Sequence, residues 1–341
     1  MLTSKTDRAG LERERVAASV MLPCFESTPG SRVLAVHDDH ALLSAPLAER
    51  GFEVDSWWRC ATANHSATPW PETGPFDAAI VRLSKDKFAF EMALHAAISV
   101  LTPGGTLWVY GANDEGIKST PKRMRAVLDN VETVDIRKHC RVLRGIRTEA
   151  ITELKQRLTD WAWTETLEYA DGPHEHTVFP GVFAKGKLDP ATRLLLSAMP
   201  APEPNSTGLD FACGAGVIGG ALLRREASVT LTQLDADAVA AHAAGINVPQ
   251  ARTVVGASLA SLPSEDRYDW IASNPPIHEG KARDYGVLRE LVRGSRAKLN
   301  PRGSMWLVVQ RQADLRALLK ANFRKATAVV EDARFRVWKA E

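Results

Sequence analysis

Apolar and polar segments follow the same order in both halves of the chain. Residues 31–58 begin with the apolar run Val33–Val36, pass through a polar turn and an Ala/Leu-rich segment to Gly51, and end in a short apolar stretch. Residues 206–237 repeat this order. Apolar runs of this length, separated by segments of helical length, predict strand, turn, helix, turn and strand in each half.

Each half continues with a further strand, a long amphipathic helix and another strand. These strands open with an aromatic residue and an aspartate, at Phe76-Asp77 and at Tyr268-Asp269, and the later turns read PGGT and PRGS. Strands that alternate with helices of ten or more residues favour a mainly parallel sheet covered on both faces. The sequence therefore predicts an α/β protein with two doubly wound domains in tandem.

The boundary between the two domains is expected near the middle of the chain. Residues 148–170 place Leu154, Leu158 and Trp161 at helical spacing, which favours a helical or mixed connector. A length of 341 residues also suits two domains better than one. We assign residues 1–150 to the first domain, 151–170 to the connector and 171–341 to the second domain.

Composition and charge narrow the class of protein without identifying a partner. Hydrophobic residues make up 45% and charged residues 25% of the chain, and the formal net charge is only +2. The four cysteines lie far apart and form no C-x-x-C pair, so neither a zinc site nor a disulfide framework is predicted. The charged N-terminal stretch lacks the apolar segment of a secretory signal, and no apolar run has the length of a membrane span. We expect a soluble, cytoplasmic protein and a monomer.

A glycine-rich turn indicates a ligand site in the second half. The sequence LDFACGAGVIG at residues 209–219 would form the first strand-to-helix turn, at the sheet edge where doubly wound proteins bind ligands. Gly214 and Gly216 let the backbone approach a ligand closely, and Asp210 supplies a carboxylate suited to an ammonium group. The next strand ends in Asp235, which is placed to accept hydrogen bonds from ribose hydroxyls. Together these features favour nucleoside binding.

A rigid polar loop, SNPP at residues 273–276, ends the strand that opens at Tyr268. Its two prolines stop the strand and restrict the path of the loop, although such a pair is in many proteins only a turn. Asn274 offers a carbonyl acceptor and an amide donor. Its carbonyl and the Pro275 backbone carbonyl could hold the N–H groups of a planar amine and direct its lone pair at an electrophile.

These motifs resemble those of class I S-adenosylmethionine-dependent methyltransferases that modify planar amines. DFACGAG, the acid Asp235 and SNPP carry this resemblance. The sequence FPGVF at residues 179–183, followed by Leu188-Asp189, RLLLSAM and later NPPIHEGK, is similar to ribosomal RNA guanine-N2 methyltransferases of the RsmC and RlmG type. The length is closer to the small-subunit type. The resemblance covers most of residues 178–340 and implies two tandem Rossmann-like domains, of which only the second holds the donor.

The resemblance implies transfer of a methyl group from S-adenosylmethionine to the N2 amine of a guanine in ribosomal RNA. The substrate would be this RNA, most naturally that of the small subunit, or a partly assembled subunit, with no metal ion. The residues expected to bind the donor are Asp210, Ala212, Gly214, Gly216, Asp235, Ser258 and Asn274. The residues expected at the reacting amine are Asn274, Pro275, Pro276 and Ile277, the last of which would cover the target base.

Three positions depart from the family pattern. Ala212 replaces the first glycine of D-x-G-x-G-x-G, and Ile277 stands where an aromatic ring normally stacks on the target base. Leu259, next to Ser258, occupies a position that is polar in many members. These changes leave room for a different target base or a weakened enzyme. Ala212 and Ile277 also motivate an alternative interpretation as an RNA-binding assembly factor whose catalytic pocket has decayed.

The first half lacks the residues that carry the site in the second half. It has LAVHDDHA at residues 34–41 in place of LDFACGAG, and VRLS at 81–84 in place of SNPP. We therefore expect a degenerate domain with an RNA-binding or structural role. Residues 116–147 contain nine basic and three acidic residues, an excess that suits phosphate contacts but also a solvated face. The residues assigned to RNA binding are Lys118, Lys122, Arg123 and Arg125.

Two further classes of enzyme share part of this pattern. A methyltransferase acting on the N5 amide of a protein glutamine would also use an N-P-P loop, but the degenerate domain and basic stretch favour RNA. A nicotinamide dehydrogenase would use the glycine-rich turn but leaves Ser273–Pro276 without a role. His174-Glu175-His176 resembles a metal-binding pair only superficially, because its setting predicts a loop rather than a zinc-binding helix.

Overall fold

The computed structural model describes residues 5–25, 31–149, 153–276 and 286–341. The chain divides into two compact units, Met1–Arg59 with Thr68–Ala162, and Cys60–Ala67 with Trp163–Glu341. The main division therefore falls next to Ala162. The short segment Cys60–Ala67 belongs to the second unit, where the Ala61 N–H donates to the carbonyl oxygen of Ala236 at 2.7 Å.

The first unit is built on a six-stranded sheet. Its strands are β1 (Arg32–Val36), β2 (Glu53–Trp57), β3 (Phe76–Arg82), β4 (Leu101–Ala112), β5 (Asp129–Arg137) and β6 (Cys140–Ile146). Its helices are α1 (Lys5–Met21), α2 (Ser44–Glu49), α3 (Lys87–Ser99) and α4 (Thr120–Met124). The strand order is β2-β1-β3-β4-β6-β5. The first four strands in that order run parallel, and β6 and β5 add an antiparallel hairpin.

The second unit repeats this plan on a larger scale. A separate hairpin, β7 (Trp163–Tyr169) and β8 (Gly172–Val178), precedes the main sheet. The strands of that sheet are β9 (Thr207–Phe211), β10 (Thr230–Asp235), β11 (Arg252–Val255), β12 (Tyr268–Ser273), β13 (Leu299–Gln310), β14 (Ala326–Glu331) and β15 (Phe335–Ala340). The helices are α5 (Pro190–Ala198), α6 (Val217–Arg225), α7 (Ala238–Asn247), α8 (Gly286–Lys298) and α9 (Arg316–Asn322).

The larger sheet has the order β11-β10-β9-β12-β13-β15-β14. Its first five strands are parallel, and β15 and β14 close it with antiparallel pairing. The predicted fold class, α/β with two doubly wound and mainly parallel sheets, is therefore confirmed. The carboxyl ends of the parallel strands lie at one edge of the sheet, which is where ligands bind in such folds.

Helices cover both faces of the larger sheet, which is why its central strands are apolar without interruption. Ile271 and Leu307 belong to the buried cluster that includes residues of α8 and α9. Their chain neighbours Ala272 and Val308 belong to the cluster that includes residues of α5 and α6. Successive residues of a strand face opposite sides, so each strand contributes to two cores.

The expected helical connector is a short 3-10 turn followed by a hairpin. The turn spans Leu158–Trp161, and the chain enters β7 two residues later. Residues 165, 167 and 169 are buried or half-buried while 164, 166 and 168 are exposed, an alternation that favours a strand over a helix. The stretch containing His174 and His176, which was expected as a loop, lies on β8 because it pairs with β7.

The described helices are short, and none combines the length and apolar composition that would cross a bilayer. The longest of those described, α1, has 17 residues, and charged residues occur along it.

Candidate active site

The glycine-rich turn joins β9 to α6 at the carboxyl edge of the larger sheet. Ala212, Gly214 and Gly216 have φ angles of 56°, 56° and 79°, in the left-handed region that favours glycine. A Cβ on Gly216 would lie 2.8 Å from Nε2 of Gln233 and 2.9 Å from Cγ2 of Val248. A Cβ on Gly214 would meet no described atom within 4 Å. Packing of the protein therefore demands glycine at position 216, whereas Gly214 borders open space in front of the turn.

Asp210 lies fully buried beneath this turn. Its Oδ2 accepts a hydrogen bond from the Gly219 N–H at 2.8 Å, while Oδ1 is buried without a hydrogen-bond partner among the described residues. Burial raises the pKa of Asp210 to about 7, against the opposing effect of the Gly219 hydrogen bond. A buried carboxylate oxygen without a partner is costly, so this oxygen is suited to receive the cationic group of a ligand.

Asp235 ends the neighbouring strand β10 and connects it to the glycine-rich turn. Its Oδ2 accepts the Gly214 N–H at 2.8 Å and its Oδ1 accepts the Asp237 N–H at 2.9 Å. Burial raises the pKa of this half-buried carboxyl to about 6. Each oxygen retains a second lone pair for a hydroxyl donor. The Gly256 N–H donates to the Asp235 carbonyl at 2.8 Å, which holds the loop that carries the half-buried Ser258 beside this strand end.

Asn274 follows β12 and is held from one end of its amide. Its Nδ2 donates to Oδ2 of Asp189 at 3.1 Å and to Oγ1 of Thr192 at 3.0 Å. Because a carboxylate only accepts hydrogen bonds, the contact with Asp189 determines which end of the amide faces α5. Among the described residues no donor contacts Oδ1 of Asn274. The orientation of the carbonyl end is therefore restricted, and no described residue donates to it.

Asp189 and Thr192 are site residues that the sequence did not single out for this role. Asp189 precedes the first residue of α5, Pro190, and its Oδ2 also accepts the Thr192 N–H at 3.0 Å as an N-cap. An aspartate before a proline predicts such a cap. The contact with Asn274 could not be predicted in this way, because it joins residues 85 positions apart.

The register of the central strands brings the SNPP loop next to the glycine-rich turn. Ser273 is paired with Phe211 across β12 and β9, and its buried hydroxyl donates to the Phe211 carbonyl at 2.7 Å. Pro275 is buried and Pro276 is exposed. Ile277 lies outside the described residues. The structure thus brings together the predicted residues 210–216, 235, 258 and 274–276 along the carboxyl edge of a single sheet.

In the first unit the corresponding positions are occupied by the protein's own groups. After β1, the carboxylate of Asp38 accepts hydrogen bonds from the amides of residues 42–44 at 2.8 to 3.1 Å. At the end of β3, the buried Arg82 pairs with Glu14 at 2.6 Å and with Glu115 at 2.8 Å. The amides after β1 and the end of β3 correspond to site positions of the second unit. In the first unit they are engaged by side chains of that unit itself.

The basic residues assigned to RNA binding lie on α4, on the 3-10 turn before it and at the residue that follows α4, all in the first unit. Lys118, Lys122 and Arg125 are exposed, whereas Arg123 is half-buried with its Nε 3.5 Å from a carboxylate oxygen of Glu91. Two arginines farther along, on β5 and β6, also pair with acidic side chains of their own sheet. Three of the four predicted residues are therefore exposed, and they form no ion pair with a carboxylate among the described residues.

The histidines of β8 serve structural contacts. His176 is buried, its Nε2 lies 2.9 Å from the Tyr169 hydroxyl, and burial lowers its pKa to about 4. Nε2 of His174 lies 3.3 Å from Asp171. Within residues 5–25, 31–149, 153–276 and 286–341, no three His, Cys, Asp or Glu side chains form a group that could hold a metal ion.

Comparison with known proteins gives a family for both units. The family model described as "Methyltransferase small domain" matches residues 176–339, and "Methyltransferase small domain N-terminal" matches residues 55–164. The chain is 31% identical over 312 residues to ribosomal RNA small subunit methyltransferase C of Shewanella halifaxensis, covering 89% of this chain and 86% of that protein. It is 32% identical over 286 residues to the protein of the same name from Ectopseudomonas mendocina, covering 83% and 84% of the two chains.

A solved structure shares the tandem architecture. The T. thermophilus 16S rRNA N2 G1207 methyltransferase (RsmC), in complex with AdoMet and guanosine, matches with a TM-score of 0.84 and 23% identity over 96% of this chain and 91% of that one. Because the match spans nearly the whole chain, it confirms the fold of two methyltransferase-like domains. Taken with the sequence relatives, it shows that the chain belongs to the ribosomal RNA small subunit methyltransferase C family.

Proposed function

We propose that this protein transfers a methyl group from S-adenosylmethionine to the exocyclic N2 amine of a guanine in small-subunit ribosomal RNA. The observation that carries the proposal is Asn274, whose amide nitrogen is held by Asp189 and Thr192 while its carbonyl is available beside the glycine-rich turn. A carbonyl acceptor in a rigid loop suits a planar amine. The family membership and the name of the T. thermophilus relative, a guanine-N2 methyltransferase, support this choice.

S-adenosylmethionine supplies an electrophilic methyl group on a sulfonium, and its transfer to an amine yields S-adenosylhomocysteine and a proton. The second unit offers a matching set of groups. The open space before Gly214 and the turn at Ala212 and Gly216 accommodate the amino-acid part, and Oδ1 of Asp210 accepts its ammonium group. Asp235 would accept hydrogen bonds from the ribose hydroxyls, and Ser258 would face the adenine. Asn274 would lie near the methyl group.

The residues at the reacting amine act by orientation. Oδ1 of Asn274 and the carbonyl of Pro275 accept the two N–H groups of the guanine amine, which favours a tetrahedral nitrogen with its lone pair directed away from both. Pro276 restricts the exit of the loop. Ile277, which lies outside the described residues, is the residue that we propose to cover the face of the base. The released proton passes to solvent, so no general base is required.

The target guanine must be unpaired to present its amine at this edge of the sheet. A base inside a duplex has to leave its stack, which favours single-stranded RNA or a partly assembled subunit as substrate. Lys118, Lys122, Arg123 and Arg125 of the first unit would contact RNA phosphates in a manner independent of sequence. The protein would act as a monomer in the cytoplasm, where subunits assemble.

Ribosomal RNA from a deletion strain and its parent tests the function directly. Mass spectrometry of nuclease digests should show that one N2-methylguanine of 16S rRNA is absent in the deletion strain and returns on complementation. An unchanged guanine-N2 profile in every ribosomal RNA would overturn the substrate assignment. Thermal stabilisation of the purified protein by S-adenosylhomocysteine but not by NAD excludes the dehydrogenase reading.

Two variants separate catalysis from RNA binding. Asn274→Ala removes the orienting carbonyl and should abolish methyl transfer while RNA affinity stays unchanged. Glutamate in place of Lys118, Lys122 and Arg125 should do the opposite, weakening RNA binding and its salt dependence while leaving donor affinity alone. Filter binding across a salt series and calorimetric titration of S-adenosylhomocysteine measure both properties. If the charge-reversed variant binds RNA as the parent does, the first unit is a structural partner and not an RNA platform.

A further inference from the structure

A cavity of about 570 Å³ opens in the second unit at residues that the proposed reaction does not use. Three arginines line it, Arg311, Arg334 and Arg336, together with Phe335. In the described part of the chain no acidic residue contributes to its wall. Because β13 ends at Gln310 and this residue pairs with Phe335 at the start of β15, the cavity lies over the ends of these two strands.

This cavity lies on the same edge of the sheet as the SNPP loop. Ser273 is the register partner of Leu307, so Asn274 is level with Val308, and Gln310 follows two residues later. With about 3.3 Å per residue along a strand and about 4.8 Å between strands, the backbone of Gln310 lies about 8 Å from that of Asn274. A chain of RNA that presents a base to Asn274 therefore has its neighbouring backbone within reach of the cavity.

The three arginines of the cavity outnumber the acidic side chains around them. Nε of Arg336 is 2.7 Å from one oxygen of Glu331, and Arg311 is 3.8 Å from the other oxygen. The guanidinium of Arg334 lies over the Phe335 ring at 5.1 Å and forms no ion pair with a described carboxylate. The carboxylate of Asp332 also interacts electrostatically with Arg334 and Arg311, so two carboxylates face three guanidinium groups.

The second acid, Asp332, also accepts hydrogen bonds from the backbone. Oδ1 of Asp332 accepts the N–H groups of Arg334 and Phe335, both at 2.7 Å, and so orders the turn that enters β15. The Arg311 N–H in turn donates to the carbonyl of Arg334 at 2.7 Å. These contacts fix the backbone positions of Arg311 and Arg334 beside the cavity.

We infer that this arginine cavity binds the phosphodiester backbone of the RNA segment next to the target guanine. The inference rests on the proposed function and adds a second substrate contact to the catalytic unit itself. Guanidinium groups form paired hydrogen bonds with phosphate oxygens, and a cavity of this volume is within the range of sites for small ligands. A phosphate there would add negative charge to a cluster in which three guanidinium groups outnumber two carboxylates.

The test compares two double variants that remove the same charge from opposite edges of the sheet. The test variant is Arg311→Ala with Arg334→Ala, which leaves the ion pair of Arg336 and Glu331 intact. The control variant is Arg296→Ala with Arg302→Ala, two exposed residues at the end of α8 and in the turn within early β13, at the amino edge. Neither pair belongs to the catalytic or donor-binding residues described above.

The probe is a fluorescein-labelled, unstructured RNA dodecamer that contains one guanosine, titrated by anisotropy over a salt series. Loss of two phosphate contacts should reduce the slope of log Kd against log salt by about 1.4, which corresponds to a loss of affinity on the order of 50-fold at about 50 mM salt. The control should retain the parent's slope. All three proteins should bind S-adenosylhomocysteine equally and unfold at the same urea concentration.

Methylation of deletion-strain 16S rRNA, measured with the same proteins, keeps the two proposals distinguishable. If the parent methylates this RNA while the cavity variant retains the parent's slope and affinity, the cavity is not an RNA site and the function stands. A loss of affinity equal in both double variants would likewise overturn the cavity, because it would reflect net charge. If the parent binds RNA through the cavity but methylates no guanine, the proposed reaction fails and the cavity inference stands.

Discussion

Asp210→Asn is the substitution that most directly tests the donor site, because it removes a charge with almost no change in shape. The pKa of Asp210 is raised by burial from 3.8 to about 7, so the folded protein retains a proton that the unfolded chain releases. The favourable contribution of this raised pKa is complete below about pH 4 and is lost as the pH rises to about 7. Ligand-free protein should therefore lose stability over that range.

The size of the effect follows from the shift. One pKa unit corresponds to about 1.4 kcal/mol, so the linkage removes about 3 kcal/mol between about pH 5 and about pH 8. An asparagine does not titrate, and its Oδ1 can still accept the Gly219 N–H. The unfolding free energy of Asp210→Asn relative to the parent should thus increase by about 3 kcal/mol over this range.

Urea denaturation of the ligand-free proteins at the two pH values measures this difference. S-adenosylhomocysteine titrated calorimetrically should bind Asp210→Asn about 10- to 150-fold more weakly, since a hydrogen bond to a charged group contributes about 1.5–3 kcal/mol. Asp314→Asn, an exposed position on the same unit, is the control and should change neither quantity. If Asp210→Asn binds the ligand as the parent does and shows no pH-dependent gain, Asp210 serves only to cap Gly219.

Further substitutions test the turn and the SNPP loop. Gly214→Ala and Gly216→Ala share the strain of a positive φ, but only Gly216→Ala creates clashes with the protein. Gly216→Ala should therefore lower stability by about 1–3 kcal/mol more in urea denaturation. Gly214→Ala should instead cause the larger loss of S-adenosylhomocysteine affinity in calorimetry. Equal effects on both properties would contradict this assignment. Ala212→Gly relieves the strain at φ 56° and should raise stability by up to about 1 kcal/mol, whereas Ala241→Gly in α7 should lower it. Thr192→Val removes one acceptor from Asn274 and should lower kcat with donor affinity unchanged, and Thr192→Ser should restore kcat. If Thr192 had a purely structural role, Thr192→Val would lower the free energy of unfolding and leave kcat unchanged.

The residues that determine each turn can be identified in the sequence because their effects are local. The order of strands and helices, the glycine-rich turn and the SNPP loop follow from spacing over about ten residues. The structure keeps all of them at the carboxyl edge of one sheet, as a doubly wound topology requires. The absence of glycines at residues 34–41 likewise predicts a first copy without a donor site. The sequence did not predict that the Asp38 carboxylate accepts hydrogen bonds from the amides of residues 42–44.

Contacts between distant segments were decided by the tertiary structure. The hold of Asp189 and Thr192 on Asn274 joins segments more than 80 residues apart and depends on where α5 lies against the sheet. The grouping of Arg311 with Arg334 and Arg336 depends on the antiparallel register of β13 and β15. Periodicity along the chain carries no information on either, because it describes which face of an element is apolar and not which elements become neighbours.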